Sequence, residues 1–435
     1  MFKWKFGRYE EVKALPEAIP EGVDPEEYAI ATYLIVLPAN FSAWDTARAI
    51  AIEQSTGTWI PVPGETPELR KKHVAKVVGV YEIPSYEVLP PMDTRERSYI
   101  IQIAYPVVNF GQQIPLMLTT IAGNIMCWEK IKLLDIRFPK SYVEGFKGPK
   151  FGVEGIREIL GVKDRPLINN MIKPCTGFTP DVGARLAYEA AVGGIDMIKD
   201  DELLGSPSFN PIEERVPKYM EAIEKADSEK GEKTLYTVNI TDRASKVFEN
   251  ADKAIELGAN ALMVNYLVVG ISILRELAED PSINVPILAH MDFSGTMYVS
   301  PNSGVASSLI LGKLPRLAGA DIVVFPAPYG KAPFLKERYI QVAHNLVFPF
   351  YHLKRTFPMP SGGITPAEVP EVVKDLGYDV VIGTGGAIHA HPMGATAGAR
   401  AFRQAVEATV KGVPLEEAAK EHEELRVALK SLKIR

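Results

Sequence analysis

Residues 166–202 read PLINNMIKPCTGFTPDVGARLAYEAAVGGIDMIKDDE. A short, mostly apolar run from Leu167 to Ile172, interrupted by Asn169-Asn170, ends in the turn-forming series Lys173-Pro174-Cys175-Thr176-Gly177. A stretch with helical spacing starts at Pro180 and closes on Gly193-Gly194, just before a second apolar run. Glycine there suits the end of a helix, and short apolar runs suit strands buried on both faces. One strand–helix–strand unit of this kind predicts parallel pairing across a helical crossover.

The unit recurs towards the carboxyl end. TLYTVNIT, ANALMVNYL, VPILAHMD, ADIVVFPAP, FPMPSGG and DVVIGTGG read as further strands, with amphipathic stretches between them. Eight such units in about 260 residues predict a (β/α)8 barrel. A doubly wound open sheet would give the same alternation, but there is no ninth strand and no GxGxxG after the first. The beginning of the chain differs. AIATYLIVLP, AKVVGVYEIP and SYIIQIAYPV read as strands, and SAWDTARAIAIEQS and IPLMLTTIAGNIM as helices. The expected organisation is an α+β, ferredoxin-like domain over residues 1–147 and the barrel over 148–435, with PLEEAAKEHEELRVALKSLKIR helical on its outside.

Composition fits that architecture. At 435 residues, 46% hydrophobic and 23% charged, the chain has material for a large core, which argues against disorder. A net charge of −6 leaves no electrostatic footprint for nucleic acid or an anionic membrane. Cys127 and Cys175 are too far apart in sequence for a CxxC or ligand pair, so a reducing cytoplasm is expected. MFKWKFGRYEEVK lacks the apolar stretch of a secretory signal, and no uncharged run is long enough to span a bilayer.

In such barrels the chemistry sits where strands end. The second strand ends in Lys199-Asp200-Asp201-Glu202. Alternation sets Lys199 and Asp201 on one face and Asp200 on the other, and Glu202 can turn back over the mouth. Two carboxylates there suit Mg2+, and Lys199 would become a third oxygen donor if carbon dioxide carbamylated it. The alternative is a plain ion-paired cluster. Lys173 shares a face with Met171 and points to the same mouth, where a neighbouring cation would lower its pKa and suit it to proton transfer, the alternative being a lysine that simply neutralises the acids there. The fifth strand ends in His290, with Asp292 and Ser294 close behind. Ser361-Gly362-Gly363 and Thr384-Gly385-Gly386 follow strands seven and eight, where backbone N–H groups commonly hold phosphate. His389 and His391 in AIHAHP have a spacing that suits a metal, though loop packing is the favoured reading. Lys331, in PAPYGKAPF after strand six, is a ligand-closing ammonium or a solvated surface lysine.

Taken together, IKPCTGFTP, GGIDMIKDDE and the SGG and TGG loops resemble the large subunit of RuBisCO and the RuBisCO-like proteins. EQSTGTW, with Glu53, Thr58 and Trp59, resembles a family segment that caps a neighbouring subunit's site, and IAGN, ending in Asn124, resembles another. The resemblance implies a homodimer or higher homo-oligomer and Mg2+ held by carbamylated Lys199, Asp201 and Glu202. It implies proton transfer by Lys173, further catalytic roles for His290, Lys331 and Asn124, and substrate contacts from Glu53 and Thr58. Ser361, Gly362, Gly363, Gly385 and Gly386 would bind substrate and phosphate.

Departures from the family pattern narrow the substrate. The carboxylases' second lysine after strand one is Cys175 here, and their strand-five Arg and second His are Met291 and Ser294. Their strand-six His falls at Val324. Losing two cation–phosphate contacts costs about 1.5–3 kcal/mol each, which disfavours a bisphosphate and with it ribulose bisphosphate carboxylation. The resemblance then points to the RuBisCO-like branch and a singly phosphorylated substrate. A decarboxylase of a phosphorylated 3-oxo sugar acid fits best. The PAPYG loop resembles 2,3-diketo-5-methylthiopentyl-1-phosphate enolases, although these place a catalytic lysine where Asn124 stands. Methylthioribulose-phosphate isomerase, a true carboxylase and a non-catalytic regulatory homologue are the other readings.

Overall fold

The computed structural model describes residues 24–432 apart from 58, 59, 61 and 129. Among the described residues, thirteen strands divide between an open sheet and a closed barrel. By compactness the chain forms two units, one comprising Met1–Phe146 with Gly295–Ile310 and the other Lys147–Ser294 with Leu311–Arg435.

In the first unit, β1 (Tyr28–Pro38), β2 (Lys76–Ile83), β3 (Glu96–Pro106) and β4 (Ile131–Arg137) pair antiparallel in the order β4-β1-β3-β2. Along β1 buried and half-buried residues alternate, as in a sheet with one face on a core. The helices Ala43–Glu53 and Ile114–Ile121 belong to this unit. The buried Tyr33 hydroxyl donates to the Ile121 carbonyl at 2.7 Å and fastens the end of the second helix to β1. Three features here differ from the sequence reading. β4 is a fourth strand, its signal diluted by Lys132 and Asp135. IPLMLTTIAGNIM is not one helix; it breaks at Ala122-Gly123 before a 3₁₀ turn over Asn124–Cys127. Residues 295–310, expected in the barrel domain, group with this unit because β10 (Gly304–Val305) adds to the β4 edge in parallel.

The second unit is the (β/α)8 barrel. Its strands are β5 (Leu167–Met171), β6 (Met197–Lys199), β7 (Leu235–Asn239), β8 (Ala261–Val264), β9 (Ile287–Ala289), β11 (Ile322–Pro326), β12 (Phe357–Ser361) and β13 (Val381–Thr384). All eight run parallel, and β13 closes onto β5 with Val381 opposite Leu167. Every residue of these strands is buried, so they lack the apolar–polar alternation of a half-exposed sheet, although Asn169, Asn170, Lys199, Thr237 and Asn239 are buried polar residues among them. Leu167, Met197, Leu235, Met263, Leu288, Ile322, Phe357 and Val381 pack into one core cluster. Period-two alternation from that layer brings Met171, Lys173, Lys199, Asp201, His290 and Ser361 to the barrel-facing side. The long helix Ile212–Lys230 ends on Gly231, whose φ of 74° is the left-handed cap expected of glycine. Among the described residues no helix is long and apolar enough to cross a membrane.

Candidate active site

The mouth of the barrel gathers opposite charges. Lys199 lies at the end of β6, and its Nζ stands 3.1 Å from Glu202 Oε2 and donates to the Asp200 carbonyl at 2.8 Å. Its side chain has no exposure, so the amine meets these acceptors out of contact with water. Lys173 Nζ lies 2.5 Å from Asp201 Oδ2 and donates to Cys175 Sγ at 3.1 Å. His290 Nδ1 lies 3.0 Å from Asp292, and its Nε2 faces Glu202 Oε2 at 3.5 Å. The five side chains expected at one mouth, from Lys173, Lys199, Asp201, Glu202 and His290, do come together.

Electrostatics follow from these contacts. Burial pushes the Glu202 carboxyl up, but the Lys199 and His290 charges outweigh it and hold the pKa down at about 2. Burial alone would lower the Lys173 ammonium, yet hydrogen bonds to Asp201 and Cys175 prevail and raise it. This is opposite to the lowering expected for Lys173 next to a cation, because the groups it meets here are an acid and a thiol. Asp200 faces outward, as alternation requires. It pairs at 3.1 Å with the fully buried Arg215 and accepts from the Tyr236 hydroxyl and the Asn239 N–H.

The glycine loops are built for close approach. A side chain on Gly385 would strike the Met171 carbonyl at 2.7 Å and the Lys173 stem at 3.2 Å. Gly362 and Gly363 have φ of 103° and 98°, a region that only glycine enters without strain. The Lys331 N–H donates to the Gly362 carbonyl at 3.0 Å, linking the loop after β11 to the one after β12. The Lys331 side chain itself is exposed. Ser361 is buried with its hydroxyl on Met171 Sδ at 3.6 Å. Val324 packs in the barrel core, and Met291 lies against that core.

In the first unit, Asn124 Nδ2 donates to Glu53 Oε1 at 2.8 Å. Gln54 sets up this pair by donating to the Thr120 carbonyl at 2.8 Å, which anchors one helix end on the other. Thr58 lies outside the described residues. His391 is satisfied by the Glu424 carbonyl and the Met393 N–H, so it packs a loop and is no ligand. His389 Nε2 is buried without a partner. Sequence reasoning missed Asn239 and Asn265, whose carboxamides bind the backbone of the Asp201–Glu202 turn. Their only signal is position, as Asn239 ends β7 and Asn265 follows β8, both in the inward-facing register.

The residues suit a hard divalent cation in one respect and need an addition in another. Among the described residues no three His, Cys, Asp or Glu side chains gather as a metal cluster, so Asp201 and Glu202 are two donors in want of a third. Lys199, buried against Glu202, is the group in position to become that donor as a carbamate.

A parallel barrel with a lysine–aspartate–glutamate mouth and glycine loops after its last two strands defines a class of (β/α)8-barrel proteins whose site lies at the carboxyl ends of the strands. Within that class the chain belongs to the ribulose bisphosphate carboxylase large-chain family. The family's catalytic-domain model matches residues 152–333 and 335–432, and its N-terminal-domain model matches 21–142. A ribulose bisphosphate carboxylase-like protein of Archaeoglobus fulgidus is 60% identical over 430 residues, covering 99% of this chain and 98% of that one. A 2,3-diketo-5-methylthiopentyl-1-phosphate enolase of Geobacillus thermodenitrificans is 40% identical over 410 residues, covering 92% and 97%. The octameric Rubisco of Pyrococcus horikoshii superposes with a TM-score of 0.86 at 33% identity, covering 94% of each chain.

Proposed function

We propose that this protein forms and reprotonates an enediolate of a singly phosphorylated keto substrate at the mouth of its barrel, with Mg2+. The observation that carries the reading is the charge count there. Lys173 and Lys199 stand against Asp201 and Glu202, two positive charges facing two negative. Adding carbon dioxide to the Lys199 amine leaves three anionic donors against Lys173, an excess of two that a divalent cation balances. Lys199, Asp201 and Glu202 would hold that ion. Its chemistry there is to polarise a ketone oxygen and stabilise the negative charge developing on it.

The chain's own side chains supply the rest. Lys173, kept protonated by Asp201 and Cys175, is the acid that returns a proton to carbon. His290 is oriented through Nδ1 by Asp292, which directs Nε2 to the Glu202 side. Backbone N–H groups of Gly362, Gly363, Gly385 and Gly386 would receive one phosphate. Met291, Ser294 and Val324 offer a second phosphate no cation, so a bisphosphate is disfavoured.

The step that generates the carbanion separates two readings. Loss of carbon dioxide from a phosphorylated 3-oxo sugar acid needs an acid only after the C–C bond breaks. The presence of Asn124 rather than lysine favours it. Enolisation of 2,3-diketo-5-methylthiopentyl-1-phosphate needs a base first, and the 40% identity to the Geobacillus enolase favours it. Glu53, Asn124 and Thr58 are proposed to complete the site from another copy of the chain, with Lys331 closing over it. An octameric relative supports a homo-oligomer.

The test is a panel of singly phosphorylated ketoses, diketones and 3-oxo sugar acids, incubated with Mg2+ and bicarbonate in D2O. Deuterium at the carbon beside the ketone, detected by NMR, is the expected result. Released carbon dioxide marks decarboxylation, and exchange without it marks enolisation or isomerisation. Turnover of ribulose bisphosphate alone would overturn the single-phosphate reading.

A further inference from the structure

Residues 327–335 join β11 to the helix Lys336–Val347 and carry the exposed Lys331. On its inner side this loop lies backbone to backbone on the glycine loop after β12. The Ala327 N–H donates to the Ser361 carbonyl at 2.8 Å and the Lys331 N–H to the Gly362 carbonyl at 3.0 Å. A Cβ on Gly330 would stand 1.6 Å from the Gly362 carbonyl oxygen, and one on Gly363 would stand 3.0 Å from Gly330 Cα. Gly330 cannot take a side chain without parting the two loops.

On the outer side the fastening is Tyr329. Its hydroxyl donates to Asp375, whose side chain is 7% exposed near the far end of the helix Val369–Leu376. Lys336 Nζ lies 2.9 Å from the other oxygen of Asp375 and 2.6 Å from Glu371 Oε1, so residues at both ends of the loop grip the same helix. The Tyr329 ring meets Tyr339 edge-on at 5.8 Å. Burial and the Asp375 carboxylate both push the phenol up, which keeps it a donor. That helix is itself an extension of the glycine loop. Gly363 leads through Ile364 to Thr365, whose capping box with Glu368 starts the winding towards Asp375. The contacts therefore close a ring, from Gly363 along the capped helix to Asp375, across to Tyr329 and back through Gly330.

A loop tied only at its inner side keeps some freedom to swing, and ordering it on a ligand costs conformational entropy. Tied on both sides, it is ordered before the ligand arrives. We propose that Tyr329 is a positioning residue: its bond to Asp375 holds the Lys331 loop on the glycine loop, so that a phosphate group seated on Gly362 and Gly363 and the place of Lys331 are set together. The inference rests on the reading of the glycine loops as the phosphate site and adds the residue that couples them to Lys331. The coupling is reciprocal. Phosphate steadies the Lys331 loop, and loosening that loop weakens phosphate.

The probe is inorganic phosphate added to the full-length protein, with binding read by calorimetry and the loop by the rate of tryptic cleavage after Lys331. Cleavage after Lys411, in the exposed turn Lys411-Gly412, is the control for general loosening. Tyr329→Phe keeps the ring against Tyr339 and deletes only the bond to Asp375. In wild type, phosphate should slow cleavage after Lys331. The variant should be cut there about fivefold faster and bind phosphate about fivefold more weakly, with cleavage after Lys411 unchanged. A variant cut after Lys331 at the wild-type rate overturns the proposal, whatever phosphate does. Equal acceleration after Lys411 overturns it too, because Tyr329 then serves the fold alone. So does wild-type protein that binds phosphate without protecting Lys331. Wild type that binds no phosphate, beside a variant still cut faster after Lys331 alone, removes the phosphate reading and leaves Tyr329 as the clasp.

Discussion

His389 lies one helical turn beyond the Gly385-Gly386 loop, with Nε2 buried and unpartnered. Burial, helped by the Lys173 charge, brings its pKa down from 6.5 to about 4. Below pH 6.5 the unfolded chain takes up a proton that the folded one refuses, so stability falls as the pH drops from 6.5 towards 4. The contribution is about 3 kcal/mol across that window, and it is fully present above it. Urea denaturation at pH 7 and pH 4 should show wild type losing about that much more than His389→Leu. Parallel losses in the two proteins would assign the pH dependence to other groups. At this scale the sequence is legible where strand alternation decides. Lys199 and Asp201 inward with Asp200 outward needed only the period of a strand. That Lys173 neutralises the neighbouring acids was one of the two readings its strand end allowed; which acid it meets was not legible, because Asp201 lies 28 positions away and arrives only when β5 and β6 pair. The Asn265 carboxamide escaped for the same reason: nothing local marks an amide whose partner is another strand's turn.

Between elements, the buried pair of Arg215 and Asp200 joins the helix Ile212–Lys230 to the outer face of the barrel. Arg215 also donates to the carbonyls of Asn210 and Gly205 and to Tyr236, so the guanidinium closes the loop that follows Glu202. Arg215→Met strands the Asp200 charge in a dry environment and should cost about 3–5 kcal/mol. Pairing it with Asp200→Asn should recover a large part, since the uncompensated charge is then gone. The check is the denaturation midpoint of both single variants and the double. Additive losses would show that the two side chains act independently. Eight barrel strands were readable because all are short, apolar and separated by helices. β4 and β10 were not, since β4 carries charges at its solvent-facing positions and β10 has only two residues. The segment 302–319 opens with β10 and a turn before winding into a helix, with Gly304 at a φ of 87°.

For the whole molecule, the division into an α+β unit and a barrel unit was visible in the change of pattern near residue 147. That residues 295–310 leave the barrel to join the sheet was not, because sheet-edge addition has almost no sequence signature. The proposal that Glu53 and Asn124 serve another copy's barrel has a specific consequence. Glu53→Gln and Lys199→Ala proteins, each inactive alone, should regain about a quarter of wild-type activity when co-assembled, because half the dimers are mixed and each has one intact site. No recovery in co-purified mixed oligomers would place each site within one chain. Underlying every layer of the account is the change of sign at Lys199, from an amine that neutralises Glu202 to a carbamate that joins it as a donor. The most direct measurement is to trap 13C-labelled carbon dioxide on the protein with and without Mg2+ and locate the label by NMR and peptide mass. The account predicts about one label per chain, on Lys199, stabilised by Mg2+ and absent from Lys199→Ala. Mg2+ binding of equal strength with and without carbon dioxide, with no label on Lys199, would contradict it.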